Sequence, residues 1–117
     1  MASPASQKVL RDAVLGFMRI HVLHHAAEEP IYGLEMIEEL KRHGFAIGPG
    51  TMYPLLHSLE EAGLLRSSVK LVSGKNRKYY RTTKAGDVLL VRLRAQIREL
   101  VHEVVDEHDE PGATPRH

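Results

Sequence analysis

Gly48-Pro49-Gly50-Thr51-Met52-Tyr53-Pro54 opens a short helix that closes at Gly63, and the basic segment Arg66–Lys84 follows it at once. Proline suits a first helical turn, where its missing N–H would have no intrahelical partner. Met52, Leu55, Leu56 and Leu59 recur at helical spacing and predict one apolar face. Past Gly63 the period shortens to two. Val69 and Leu71 alternate with Ser68 and Lys70, Ser73-Gly74-Lys75-Asn76 is a turn signal, and Arg77-Lys78-Tyr79-Tyr80-Arg81-Thr82 resumes with strand-favouring side chains. That is the pattern of a two-stranded hairpin.

Working outward, a helix is expected from Ile31 to His43, with Leu34, Ile37 and Leu40 on one face and Gly44 as its stop. Another is expected from Gln7 to Ala27, with Leu10, Ala13, Phe17, Ile20 and Leu23 as its stripe. Downstream, Thr82 or Thr83 can cap a last helix from Lys84 to Glu107. Its Leu90, Leu93, Ile97, Leu100 and Val104 repeat in alternating steps of three and four, the spacing of a coiled-coil seam. The expected architecture is mainly α with a β-hairpin: a winged helix-turn-helix plus a C-terminal dimerisation helix. Residues 1–6 read as a disordered N-terminus, 7–86 as the winged helix-turn-helix domain including the N-terminal helix, 87–108 as the dimerisation helix and 109–117 as a disordered tail.

A chain of 117 residues makes one domain. It has no cysteine, which excludes disulfides and cysteine-ligated metals. No apolar run approaches the roughly 20 residues that cross a bilayer, so the expectation is a soluble bacterial cytoplasmic protein with no membrane partner. Net charge is +1, yet the distribution is uneven. Arg66, Lys70, Lys75, Arg77, Lys78, Arg81 and Lys84 fall between Ala62 and Gly86 with no acid among them. Glu99, Glu103, Asp106, Glu107, Asp109 and Glu110 gather towards the end.

Two helices with a short connection suggest a helix-turn-helix whose second member reads DNA with its N-terminal residues. The helix opened by Gly48, Pro49 and Gly50 favours a phosphate through its unpaired N–H groups and positive dipole end. Thr51, Tyr53, His57 and Ser58 supply hydrogen-bonding groups along it. Arg66, Lys75, Asn76, Arg77 and Lys78 then form a basic wing, and cations at phosphates release condensed counterions. The implied partner is double-stranded DNA, with Thr51, Tyr53 and His57 nearest the bases and Tyr32 and Lys84 on the flanking backbone.

Tyr32-Gly33-Leu34-Glu35-Met36-Ile37, the run Gly48–Leu65 and the run Arg77–Gly86 together resemble the PadR transcriptional regulators, over roughly Leu15 to Leu90. The resemblance implies a winged-helix homodimer that represses transcription and is released by a small-molecule effector. It also implies DNA contacts from Tyr32, Thr51, Tyr53, Pro54 and the wing. Gly48 departs from the Ser or Thr usual there, which removes a hydroxyl cap. The single C-terminal helix is similar to the smaller branch of the family. Two subunits would set two reading helices on successive major grooves, on a palindromic operator with half-sites about one helical turn apart.

Phe17, Met18, Leu93 and Ile97 read either as core or as the lining of an effector pocket between the first and last helices. No cofactor is expected. His21, His24 and His25 lie at helical steps that suit zinc, copper or nickel, with His102 or Glu103 as a further ligand, and suit equally a polar helix edge. A metal-responsive regulator is therefore one alternative reading, and a protein-binding adaptor without DNA affinity is another. An enzyme is not expected: the chain has no phosphate loop or nucleophile elbow, and the histidines lack an evident acidic partner.

Overall fold

The computed structural model describes residues 3–109. In chain order it contains α1 (Pro4–Glu28), α2 (Gly33–Arg42), α3 (Pro49–Glu61), β1 (Leu65–Val72), β2 (Lys75–Thr82) and α4 (Lys84–Val101). A π-helical turn (His102–Asp106) and the short α5 (Glu107–Asp109) follow. The fold is mainly helical with one antiparallel hairpin, a winged helix-turn-helix.

Several boundaries differ from the sequence expectation. Disorder was expected through residue 6, but α1 already begins at Pro4. The Ser3 hydroxyl accepts the Ser6 N–H at 3.1 Å, and Pro4 sits in the first turn, so the helix is capped earlier than its apolar stripe begins. Of the expected disordered tail, Asp109 ends α5 and residues 110–117 lie outside the described residues. Ile31 does not start α2. Its N–H donates to the Tyr80 carbonyl at 3.0 Å and its carbonyl accepts the Tyr80 N–H at 2.7 Å, which ties the entry of α2 to the hairpin. The hairpin turn is Ser73-Gly74 alone, with φ of 50° and 79°. Two left-handed residues make the kind of two-residue turn whose twist matches the strands. Lys75 and Asn76 therefore belong to β2 rather than to the turn.

The core gathers Met18, Val22, Leu23 and Ala26 of α1, Met36 and Leu40 of α2, and Met52, Leu55, Leu56 and Leu59 of α3. Leu65 and Tyr80 of the hairpin and Leu90 of α4 complete it together with Ile31. The expected face of α3 is thus buried whole. That of α1 is not, since Leu10 is 65% and Phe17 46% exposed. α1 outruns the body it packs on, and the face offset by one residue, Met18 and Val22, turns inward instead. Leu34 of α2 also points outward, and Met36 takes its place.

Thr83 closes the joint between the wing and α4. Its hydroxyl accepts the Gly86 N–H at 3.1 Å and donates to the Gly63 carbonyl at 2.5 Å, while its N–H donates to the Leu64 carbonyl at 3.0 Å. Gly86 is required there, because a methyl on it would come within 2.2 Å of the Leu64 carbonyl oxygen. Leu93 still packs against the core, and further along the C-terminal helix Leu100 and Val104 are exposed. The radius of gyration of 17.0 Å exceeds the value of about 13 Å for a compact chain of this length. Among the described residues no helix is long and apolar enough to cross a membrane.

Candidate functional site

The register of the hairpin sorts its cations by face. Leu65 opposes Thr82, Arg66 opposes Arg81, Ser68 opposes Tyr79, Lys70 opposes Arg77 and Val72 opposes Lys75. Directly opposed residues share a face, and alternate residues along a strand change face. Arg66, Lys70, Lys75, Arg77 and Arg81 therefore stand on one outer face together with Tyr79. Leu65, Ser67, Lys78 and Tyr80 stand on the inner face, where Leu65 and Tyr80 enter the core. Two like-charged pairs, Arg66 with Arg81 and Lys70 with Arg77, lie straight across the outer face, an arrangement that is unfavourable until an anion lies over it.

Lys78 belongs to a different construction. Its Nζ lies 3.6 Å from Glu60 Oε1, at the far end of α3. Glu60 Oε2 accepts the Ser67 N–H at 3.1 Å and the Ser67 hydroxyl as well. These bonds from Ser67, followed by the charge of Lys78, hold the Glu60 carboxyl below its ordinary range. Among the described residues Lys78 is the hairpin cation engaged in an ion pair, so it anchors the wing to α3 instead of standing with Lys75 and Arg77.

Tyr32 supports the outer face. The Arg77 guanidinium lies over its ring at 4.4 Å, Tyr79 meets it edge-to-face at 5.4 Å, and the Lys70 ammonium lies 5.3 Å from the Tyr79 ring. The two rings meet edge-to-face, and each carries a cation over it. Hydrogen bonding to Tyr79 raises the Arg77 pKa further, so its charge is permanent.

At the start of α3, Gly48 is the extended N-cap without a side-chain bond, and its carbonyl accepts the N–H groups of Thr51 and Met52 at 3.1 and 3.0 Å. Pro54 and His57 are exposed, and Thr51 is half-buried. Tyr53 is 44% exposed, with its ring laid on Gly33: a methyl on Gly33 would come within 2.5 Å of it. His57 Nε2 pairs with Glu61 Oε1 at 3.1 Å, and the Ser58 hydroxyl turns back to the Leu55 carbonyl at 2.8 Å. Lys84, the first residue of α4, is exposed. The sequence reading counted Lys70 and Arg81 in the basic segment but not among the wing's contact residues. Strand parity would have found both, because each is in phase with Arg66 or Arg77 across the hairpin.

A second concave feature lies between α1 and the C-terminal helix. It is an apolar groove of about 530 Å³ whose walls include Phe17, Ile20, Phe45, Ile97, Leu100 and Val104, with His21, His24 and Arg94 as polar groups. Of the expected effector-pocket residues, Phe17 and Ile97 line it. Met18 is buried in the core and Leu93 packs against the core.

The histidines are gathered on α1 and α2. Donor atoms of His24, His25 and Glu28 lie within 4.8 Å of one another. His21 stands outside that set and stacks on His43 at 5.4 Å and on His25 at 6.4 Å. Burial first, then the neighbouring His43, His25 and His24, push its pKa down and favour the neutral ring. His102 does not join the set. It pairs with Glu107 at 3.6 Å, and Glu103 does not join either.

The chain matches the PadR-like family of transcriptional regulators over residues 22–92. It is 43% identical over 96 residues to the transcriptional regulator Rv3488 of Mycobacterium tuberculosis, covering 82% of this chain and 90% of that protein. A PadR family transcriptional regulator from Eggerthella lenta superposes with a TM-score of 0.70 at 33% identity, covering 93% of this chain and 100% of that one. A PadR-like regulator from Bacillus cereus superposes with a TM-score of 0.75 at 28% identity, covering 82% of this chain and 95% of that one. The outer basic face and the start of α3 stand on a fold shared with transcriptional regulators, and the chain belongs to the PadR-like family.

Proposed function

We propose that this chain is a cytoplasmic bacterial repressor that binds a palindromic operator as a homodimer and is released by a small molecule. The observation that carries the DNA reading is the outer face of the wing. Opposed Arg66 with Arg81 and Lys70 with Arg77 form a surface that a polyanion neutralises and that an ordinary solvated hairpin has no reason to keep. Lys75 extends this surface towards the turn. Thr51, Tyr53 and His57 at the exposed start of α3 face the bases, and Gly48, Pro49, Gly50 and Pro54 let its backbone approach phosphate. Tyr32 acts by seating Arg77, and Lys84 flanks the duplex backbone, whereas Asn76 opposes Leu71 and stands in phase with Lys78, on the face away from Lys75 and Arg77.

The dimer reading rests on exposed apolar side chains. Leu10 and Phe17 on α1, with Leu100, Val101, Val104 and Val105 at the C-terminal end, are exposed in the single chain. Contiguous apolar surface of this kind marks an association site, and the seam spacing suits a helix of a second copy. The groove bordered by Phe17 and Ile97 then becomes enclosed between subunits, where an effector can reach both.

Fluorescence anisotropy on duplex DNA fragments tests this. A dimer offering its outer faces twice is expected to lose about 10³-fold or more in affinity between about 50 and 200 mM salt. Its footprint should show two half-sites about one turn apart. No duplex binding at low salt would instead indicate the adaptor reading.

A further inference from the structure

Arg94 is a charge that DNA binding leaves unused. It stands on α4 in the wall of the apolar groove between α1 and the C-terminal helix and is half-buried there. Among the described residues it has no carboxylate partner, and its polar contact is His24 Nδ1 at 3.2 Å. A guanidinium only donates, so that nitrogen accepts, and Arg94 has further N–H groups to offer. Among the described residues no acid lines the groove. The other half-buried arginine, Arg77, lies over the Tyr32 ring. Arg94 has no such support. A cation sheltered by apolar walls without a counter-ion is a costly arrangement until an anion enters.

The shape of the groove indicates the rest of the ligand. Leu90, the α4 wall residue before Arg94, is buried in the core, so the open track leads away from Arg94 in one direction. It continues along Ile97, Leu100, Val101, Val104 and Val105, all apolar. From Arg94 to Val105 the helical rise gives a track of about 16 Å. Phe17 and Ile20 of α1 form the other side. His21 also borders the groove, and burial followed by its histidine neighbours keeps its ring neutral, so it adds no competing charge. The volume of about 530 Å³ falls within the range of about 300–1,000 Å³ usual for small-molecule sites. A compact ring on Arg94 would leave most of the track without contacts, whereas a chain would fill it.

We infer that the effector pocket proposed above, the reading on which this rests, takes a linear monocarboxylate: an apolar chain with a single anionic head. The carboxylate accepts from the Arg94 guanidinium, whose planar fork matches its two oxygens. His24 is a positioning residue that accepts one N–H of Arg94 and turns the rest towards the groove. The chain lies along Ile97, Leu100 and Val104, and the second copy covers it from the open side.

The test is calorimetric titration of sodium dodecanoate, below its micellar range, into the full chain, with dodecyltrimethylammonium and octanoate as comparisons. Dodecanoate is expected to bind at least about tenfold more tightly than the cation of the same chain length. It is also expected to bind more tightly than octanoate, which has fewer methylenes to bury. Arg94→Gln is expected to weaken dodecanoate by at least about tenfold and to remove the preference over the cation. Arg94→Lys keeps the charge without the fork and is expected to fall between. Arg94 is only half-buried, so its variants are expected to fold, which circular dichroism checks, and size-exclusion chromatography follows the dimer. Absence of dodecanoate binding, equal binding of the two head groups, or unchanged affinity in Arg94→Gln would overturn the inference. An Arg94→Gln variant that loses the dimer but keeps dodecanoate would overturn it too, and would give Arg94 to a carboxylate of the second copy. Release of duplex DNA is read separately by anisotropy. Dodecanoate that binds through Arg94 and leaves the DNA bound would support the ligand class and overturn the release reading alone.

Discussion

The two faces of the hairpin are built from one short sequence and do opposite work. The inner face buries Leu65 and Tyr80, bonds Ser67 to Glu60 and spends Lys78 on the same carboxylate. The outer face lines up Arg66, Lys70, Lys75, Arg77 and Arg81 with an aromatic support and places like charges opposite one another. The difference teaches that basic residues in one hairpin are not interchangeable. Lys78, in phase with Leu65, holds the wing on, and those out of phase are left on the outer face for the DNA contact proposed above.

The largest effect should come from the inner face. Leu65 is 2% exposed, and Leu65→Ala is expected to cost about 2–5 kcal/mol, read by urea unfolding. Arg66→Ala, its immediate neighbour, is expected to cost nothing or to stabilise slightly, because it removes one of two opposed positive charges. If the Arg66 variant lost as much stability as the Leu65 variant, the division between faces would fail.

The next contrast is read on DNA. Arg66→Ala/Arg81→Ala takes two cations from each subunit of the dimer and should lower the slope of log affinity against log salt by about four, and Lys75→Ala/Arg77→Ala should do the same. Both losses should be alike on operator and random duplex, since phosphate contacts position the protein without specifying bases. Lys78→Ala should leave the slope unchanged and cost about 0.2–1 kcal/mol of stability through its half-exposed pair with Glu60. A slope change with Lys78→Ala equal to that of a single outer-face arginine would place Lys78 on the DNA and break the comparison.

The sequence made this fold legible where one physical signal dominated. Met52, Leu55, Leu56 and Leu59 are apolar at helical spacing on a short helix with packed neighbours, so every one is buried. The change of period after Gly63 and the glycine at 74 located the hairpin. The reading went wrong where a second element decided the outcome. Periodicity alone could not choose between Leu10 with Phe17 and Met18 with Val22, because α1 carries apolar residues on more than one face and the body's position selects among them. Ile31 looked helical until its pairing with Tyr80 is considered, a contact distant in sequence. Lys78 was grouped with Lys75 and Arg77 by proximity, although parity places it on the opposite face. Glu39 was passed over as the acidic partner of His25 and His43 because nothing local says that α2 lies against that edge of α1.

The smallest expected effect isolates the joint itself. Glu60 is the acidic residue that the inner face uses, and its bonds from Ser67, then the charge of Lys78, favour the ionised form in the folded chain. Its folded pKa therefore lies below the ordinary carboxylate value of about 4.3 that it regains on unfolding. The unfolded chain binds the proton first as pH falls, so the stabilisation from Glu60 is fully present above the unfolded value and is lost as pH drops through the folded one. Glu60→Gln keeps the shape and can still accept from Ser67, but it cannot titrate. Urea unfolding of wild type and variant should differ most near neutral pH, and the difference should shrink steadily below about pH 4. A difference that stays constant through this range would mean that the joint senses the shape of the side chain and not its charge. The wing would then be held by Leu65 and Tyr80 alone, and Lys78 would be released from the inner face.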